Sequence, residues 1–305
     1  MVAATLAACG GNQAPSGPTL HSSLQAFALA PAVRMTGSVT YSNVAYEVDL
    51  SVDSRRRATG TVTTGGSAVQ VQDDGSVVYM QGKDYFGKLL KFPVFDRWVK
   101  YPAAPVANLV LQLTDRAGIA RSLEMAAGTK VKSTPGLVSG VRTTSFLAPT
   151  VTVDVPRGGS ARPVEIDTAP AIQAGPDISQ LAVHLSDYGV PLAFDIPSKF
   201  VDSADSGTWP PYWVYVQGTI AFQNCDNNGC TLAAGFTNNG GKGEGTASVH
   251  FLVKNSSTGA EVAGCDAPLP PTDSGGTANV SCHIAYDRSQ GGLFGGTFVL
   301  HNPTS

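Results

Sequence analysis

The chain has 305 residues, about two domains' length, with 34 glycines, 20 prolines and only 14 % charged residues. A hydrophobic fraction of 42 % excludes a disordered polyelectrolyte, and the Gly and Pro content argues against a helical bundle. A net charge of −3 supplies no basic field for nucleic acid, and no apolar run reaches the roughly 20 residues of a membrane-spanning helix.

The chain opens Met1-Val-Ala-Ala-Thr-Leu6-Ala7-Ala8-Cys9-Gly10-Gly11. Small apolar residues ending in Leu-Ala-Ala-Cys resemble the lipobox of bacterial lipoproteins. That resemblance implies acylation of Cys9 and a cell-membrane address on the extracytoplasmic face. Residues 10–18 are Gly, Asn, Gln, Ala, Pro and Ser, a composition that buries nothing and reads as a tether. Only eight residues precede Cys9 and none is basic, so residues 1–18 read as a truncated signal and lipobox followed by a flexible linker. The other cysteines, Cys225, Cys230, Cys265 and Cys282, form an even set far down the chain. In an exported domain such a set suggests two disulfides.

Residues 19–31 carry one helical period: Leu20, Leu24, Phe27 and Ala28 share a face, and Pro31 stops it. Strict alternation follows over 44–53, where Tyr46, Val48 and Leu50 are apolar and their neighbours polar, a half-buried strand. Arg55-Arg56-Arg57 reads as a solvated turn. Strands are expected over 58–64, 67–72 and 76–81, with turns at Gly65-Gly66, Asp73-Asp74-Gly75 and Gly82-Lys83-Asp84. Residues 98–101 form an aromatic-anchored segment, and 109–127 has mixed helical character. Strands resume over 140–147, 150–156, 161–167 and 181–188, and 196–201 closes the first domain. A polar, Pro-rich stretch at 202–211 marks the boundary. Strands over 212–223, 230–238, 246–254, 277–286 and 293–300, with a sixth at 261–265, have the size and pattern of an Ig-like β-sandwich over 204–305.

Four short motifs within residues 19–203 carry a family likeness: Thr36-Gly37-Ser38-Val39, Asp74-Gly75-Ser76-Val77-Val78-Tyr79-Met80, Arg97-Trp98-Val99 and Leu185-Ser186-Asp187-Tyr188-Gly189-Val190-Pro191. With the linker, short helix and run of strands, they resemble the LppX/LprG lipoproteins and, more distantly, LolA/LolB. The resemblance implies a curved antiparallel half-barrel sheet with packed helices and a lipid or lipidated glycan in the hollow between them. The fold expectation is therefore mainly β, with an α+β first domain and a disulfide-stapled β-sandwich after it. A single short helix looks too small to cover such a sheet. Leu24, Phe27, Tyr46, Val48 and Leu50 are accordingly the candidate ligand-binding residues, each also a plausible plain core residue.

Cys225-Asp-Asn-Asn-Gly-Cys230 lacks the further close ligands of a metal site and suits a bridge across a hairpin, with Cys265–Cys282 as the second bridge. Gly240-Gly241-Lys242-Gly243-Glu244-Gly245 lacks phosphate-loop spacing and reads as a flexible hairpin loop. His21, His184, His250, His283 and His301 are scattered and suggest no catalytic or metal motif, so no enzyme activity and no cofactor are expected. The expected function is a membrane-anchored carrier that binds an acylated ligand. The rival expectation is a non-catalytic surface protein whose C-terminal domain binds a protein or glycan.

Overall fold

The computed structural model describes residues 17–90, 96–101, 104–170, 174, 176–287 and 293–303. Cys9 and the rest of residues 1–16 lie outside them. In chain order the elements are α1 (Leu20–Leu29), β1 (Ala32–Tyr41), β2 (Val44–Asp53), β3 (Ala58–Thr64), β4 (Ser67–Asp73), β5 (Val78–Gln81), α2 (Lys83–Leu90), β6 (Trp98–Lys100), α3 (Pro105–Thr114) and α4 (Arg116–Ala127). Then follow β7 (Lys132–Val138), β8 (Val141–Leu147), β9 (Val151–Pro156), β10 (Glu165–Thr168), β11 (Ile178–Ser186) and β12 (Phe200–Asp202). The last elements are β13 (Trp213–Tyr215), β14 (Ala221–Asp226), β15 (Gly229–Asn238), β16 (Ser248–Asn255), β17 (Glu261–Pro268), β18 (Thr277–Ala285) and β19 (Phe294–His301). The protein is mainly β, with a large curved open sheet and further sheets towards the C-terminus.

The chain divides into two compact units, one of residues 1–76 with 108–194, the other of 77–107 with 195–305. The division is not one cut near residue 203: the excursion 77–107 belongs with the C-terminal residues.

In the first unit the strand order is β4-β3-β2-β1-β11-β10-β9-β8-β7, every pairing antiparallel. The alternation on β2 works as expected: Tyr46, Val48 and Leu50 are buried while Ala45, Glu47 and Asp49 are exposed. β1, its partner along the full length, repeats the pattern with Val33, Met35, Val39 and Tyr41. At Gly37 a Cβ would stand 2.2 Å from Ala182 O, so only glycine lets β1 lie this close to β11.

Thr19 starts α1 through a capping box: its Oγ1 accepts from Ser22 N at 3.1 Å and Ser22 Oγ accepts from Thr19 N at 2.9 Å. The far end of α1 is closed from α4. Arg116, 3 % exposed, donates Nη1 to Phe27 O at 3.1 Å and Nη2 to Ala30 O at 2.6 Å. A buried cation thus sits where the dipole of α1 is negative, and adds donors to two carbonyls of its last turn and cap.

In the second unit β6 pairs β5 antiparallel and β12 parallel, with Trp98 beside Phe200 and Lys100 beside Asp202. Further along, β15 pairs β13, β14 and β18, and β16 pairs β17 and β19. Alternate residues of β15 (Cys230, Leu232, Ala234, Phe236) and of β16 (Val249, Phe251, Val253) join one core with Trp213. The rings of Tyr215, Phe236 and Phe298 meet there with centroids 4.8–5.9 Å apart. Both expected disulfides are present: Cys225–Cys230 spans the β14–β15 hairpin, and Cys265–Cys282 ties β17 to β18.

Several local expectations are corrected. Gly82-Lys83-Asp84 is not a free-standing turn, because Lys83 starts α2 and Gly87 is tolerated inside it. The mixed segment 109–127 is two helices broken at Asp115, whose side chain caps α4 by accepting from Gly118 N. The strand expected over 212–223 is two short ones, β13 and β14, separated by the Gly218 turn. β7 was not expected: Lys132, Ser133, Thr134 and Pro135 are exposed, so this end strand lacks the apolar alternation by which strands are read.

Candidate functional site

The five residues expected to bind a ligand lie in the interior of the first unit. Leu24 (1 %), Phe27 (0 %), Tyr46 (4 %), Val48 (4 %) and Leu50 (0 %) have almost no accessible surface. They do not line the grooves of the unit described below. Burial, with the nearby Tyr41 phenol, pushes the Tyr46 phenol above its ordinary range, as expected of a ring in a packed layer. Cys9, the expected lipid anchor, falls outside the described residues.

A groove of about 950 Å³ in the first unit lies instead along the other faces of α3 and α4. Sequence spacing explains how it arises. On α4, Arg116, Ile119, Ala120, Leu123 and Ala127 are buried, so Ile119 only edges the groove and Gly118, Ser122 and Met125 are left to line it. On α3, Leu109, Val110 and Leu113 are buried while Leu111 is 41 % exposed and lines the groove. Met125 is the extreme case at 76 % exposed. Gly118 has no side chain to fill the space, and a Cβ there would meet the Asp115 carboxylate at 2.4 Å. The wall beyond the helices includes Pro176. Gln112 fixes that wall by donating Nε2 to Asp177 Oδ2 at 3.2 Å and accepting from Asp177 N at 3.4 Å.

Charged groups line the same groove, two arginines and two carboxylates. Arg56, from the β2–β3 turn, donates Nη2 to Asp115 Oδ1 at 2.9 Å. Glu124 contacts His21 Nδ1 on α1. Arg121 donates Nε only to the backbone oxygen of Ala117, at 3.3 Å, and has no carboxylate partner among the described residues. The groove therefore joins an apolar floor (Leu111, Met125) to a rim of two cations and two carboxylates, in which Arg121 has no carboxylate partner among the described residues and Glu124 is met by an imidazole. That is a surface that an amphiphile with an apolar chain and a polar head would match. The arginine triplet is the expected exposed turn at Arg55 and Arg56, and only Arg57 is partly buried. Arg57 grips Asp53 through Nε at 2.8 Å and Nη2 at 2.6 Å, and Arg56 reaches the groove.

Two other features of this unit lack such chemistry. A groove of about 400 Å³ on the polar face of β1–β3 is crossed by Arg34, which is bound to Asp49 at 2.7 and 2.8 Å and so already neutralised. The Arg34 hydrogen bond holds the Asp49 carboxyl below its ordinary range. Asp73, at the end of β4, is fully buried. Its Oδ1 accepts from Gly75 N at 2.8 Å while Oδ2 has no hydrogen-bond partner among the described residues. Burial pushes its carboxyl up to about 6.

Sequence reasoning missed the groove because it searched the apolar stripes that face inward. The usable signal was an excess: α3 and α4 carry more large apolar residues than one buried face requires, and Leu111 and Met125 are the surplus.

Compared with known proteins, the chain matches no protein-family model, no curated protein and no solved structure.

Proposed function

We propose that this is a bacterial envelope lipoprotein, tethered through an acylated Cys9, that binds the acyl chain of a lipid or other acylated ligand and performs no covalent chemistry. The observation that carries the reading is the α3–α4 groove, about 950 Å³, with Leu111 and Met125 on its floor and Arg121 beside them. Sites for small amphiphilic ligands are typically of about this volume, mostly apolar, with few polar groups. Binding is a partition: each methylene that leaves water for the groove contributes about 0.8 kcal/mol. The likeness to LppX/LprG lipoproteins is part of the reading. The ligand's place differs from the family expectation, because Leu24, Phe27, Tyr46, Val48 and Leu50 are packed among other side chains.

The test uses the chain with Cys9→Ser, incubated with phosphatidylglycerol vesicles, re-isolated and extracted for bound lipid. The expected result is retained phospholipid, reduced by Leu111→Glu and Met125→Glu without loss of folding. Protein that retains no lipid would remove the reading.

A second reading has its own support. An interior filled by its own side chains is what a surface scaffold needs, and the five interior residues at 0–4 % exposure fit that description. On this reading the groove stays empty and the C-terminal sheets grip a partner.

A further inference from the structure

The second unit holds a groove of about 570 Å³ that the acyl-binding reading does not use. It forms at the open end of the β5–β6–β12 sheet. Because β6 and β12 pair in parallel with Trp98 opposite Phe200, the two rings project from the same face of neighbouring strands. Together they make a shelf, half-buried at Trp98 and 38 % exposed at Phe200. Tyr79, opposite Lys100 and so on the same face, meets the Phe200 ring edge-on with centroids 5.2 Å apart. Lys100 and Asp202, one step along the same strands, are paired at 2.8 Å and hold the two strands in register.

Around this shelf stand four charged groups, two of each sign: Asp96, Arg97, Lys199 and Glu244. Lys199 Nζ reaches both Glu244 carboxylate oxygens at 3.1 and 3.2 Å, and Arg97 donates to the Glu244 carbonyl at 3.3 Å. Glu244 is brought there by the glycine loop 240–245, which is a packed element. A Cβ on Gly241 would fall 1.8 Å from Ser206 O, so this stretch lies flush on the backbone of residues 206–209. Asn238, fully buried, ties the loop down with all its amide capacity. Its Nδ2 donates to Gly241 O and Thr272 O, and its Oδ1 accepts from Gly240 N and Tyr212 N.

The geometry points to a binding site for a neutral oligosaccharide. A pyranose ring has a flat face of C–H groups and a rim of hydroxyls. The Trp98–Phe200 shelf matches the face. Carboxylates that accept and cations that donate, interspersed at the edge, match vicinal hydroxyl pairs. The balance of two cations against two carboxylates disfavours a strongly anionic glycan, which would need an excess of positive charge. An extended peptide adding to β12 would bond through the backbone and would not need the two rings side by side.

The site belongs to the second unit alone, so it stands or falls independently of lipid uptake. The test is isothermal titration of the Cys9→Ser chain with cellohexaose, mannohexaose and maltohexaose, and with an oligogalacturonate of the same length. At least one neutral hexaose is expected to bind, and more tightly than the oligogalacturonate. Phe200→Ala and Glu244→Gln are each expected to weaken it by about tenfold, the loss of one ring contact or one charge-assisted pair. Glu244 is an exposed side chain, so the second variant reports on binding even if Phe200→Ala perturbs the strand. Met125→Glu should leave sugar binding unchanged. No binding of any neutral hexaose, binding by both variants as tight as that of the unsubstituted chain, or preference for the uronate would each overturn the proposal.

Discussion

The first unit keeps buried charge and the second keeps buried neutral polarity. In the first, Arg116 is sunk against the end of α1 and Asp73 is enclosed with one oxygen unpartnered among the described residues. In the second, the corresponding buried polar group is Asn238, fully hydrogen-bonded and uncharged, and two disulfides supply the cross-links. The difference has a physical consequence. A unit that hides ionisable groups couples its stability to pH, whereas one held by disulfides couples it to redox conditions. The two candidate sites also differ: a groove floored by aliphatic and thioether side chains in the first, and one floored by aromatic rings in the second.

The comparison breaks most easily at the core of the first unit. Phe27→Ala removes a ring with no accessible surface and is expected to cost about 4 kcal/mol, read by chemical denaturation. A ring that lined an open lipid cavity would cost far less, so a loss below about 1 kcal/mol would favour the interior ligand site over the packed one. Next, replacing Cys265 and Cys282 together by serine opens a 17-residue separation and should lower stability by about 3 kcal/mol. The same change at Cys225 and Cys230, separated by 5, should cost about 2 kcal/mol. Both losses should appear in the C-terminal unit, followed by hydrogen exchange, and reductant should reproduce them.

Asp73 gives the pH side of the contrast. Its carboxyl is pushed up to about 6 in the folded protein, so the folded state holds a proton that the unfolded chain releases near pH 4. Its favourable contribution is full below the unfolded value and is lost as pH rises through about 6. Asp73→Asn should therefore stabilise the protein by about 2 kcal/mol at pH 7.5 and leave stability almost unchanged at pH 3.5. Asp53 runs the other way. Burial works against its charge, but the Arg57 guanidinium and the backbone N–H groups of Arg57 and Arg55 outweigh it and hold the carboxyl below the ordinary range. That stability is present above the unfolded value and fades as pH falls through the lower folded one. The smallest expected effect is Met125→Glu, a change at an exposed position that should alter stability by less than about 0.5 kcal/mol.

Much of the architecture is legible where burial is one-sided. β2 is read from alternation, β3 from the turn signals on either side of it, α1 from the spacing of Leu20, Leu24 and Phe27, and the disulfides from an even set of cysteines in a strand-rich tail. Legibility fails where a residue's role depends on a distant segment. Nothing local in Arg116 says that it caps a helix ending at Leu29. The glycines at 240–243 look like slack until Ser206 is seen beneath them. Trp98 and Phe200 are a hundred residues apart and become neighbours only through the parallel pairing of two three-residue strands. The groove was obscured for a different reason: an apolar residue on a helix is read as inward-facing by default, and Leu111 and Met125 face outward.

The proposed acyl site is tested most directly by methyl resonances. The chain contains four methionines, of which Met35 lies in the interior of the first unit, Met80 in the second, and Met125 in the groove. With ¹³C-methyl methionine in the Cys9→Ser chain, lysophosphatidylglycerol added below its micellar concentration should shift the Met125 signal progressively and leave Met35 and Met80 in place. A titration that leaves Met125 unmoved, or that moves Met35 instead, would contradict the assignment of the ligand to the outer face of α3 and α4.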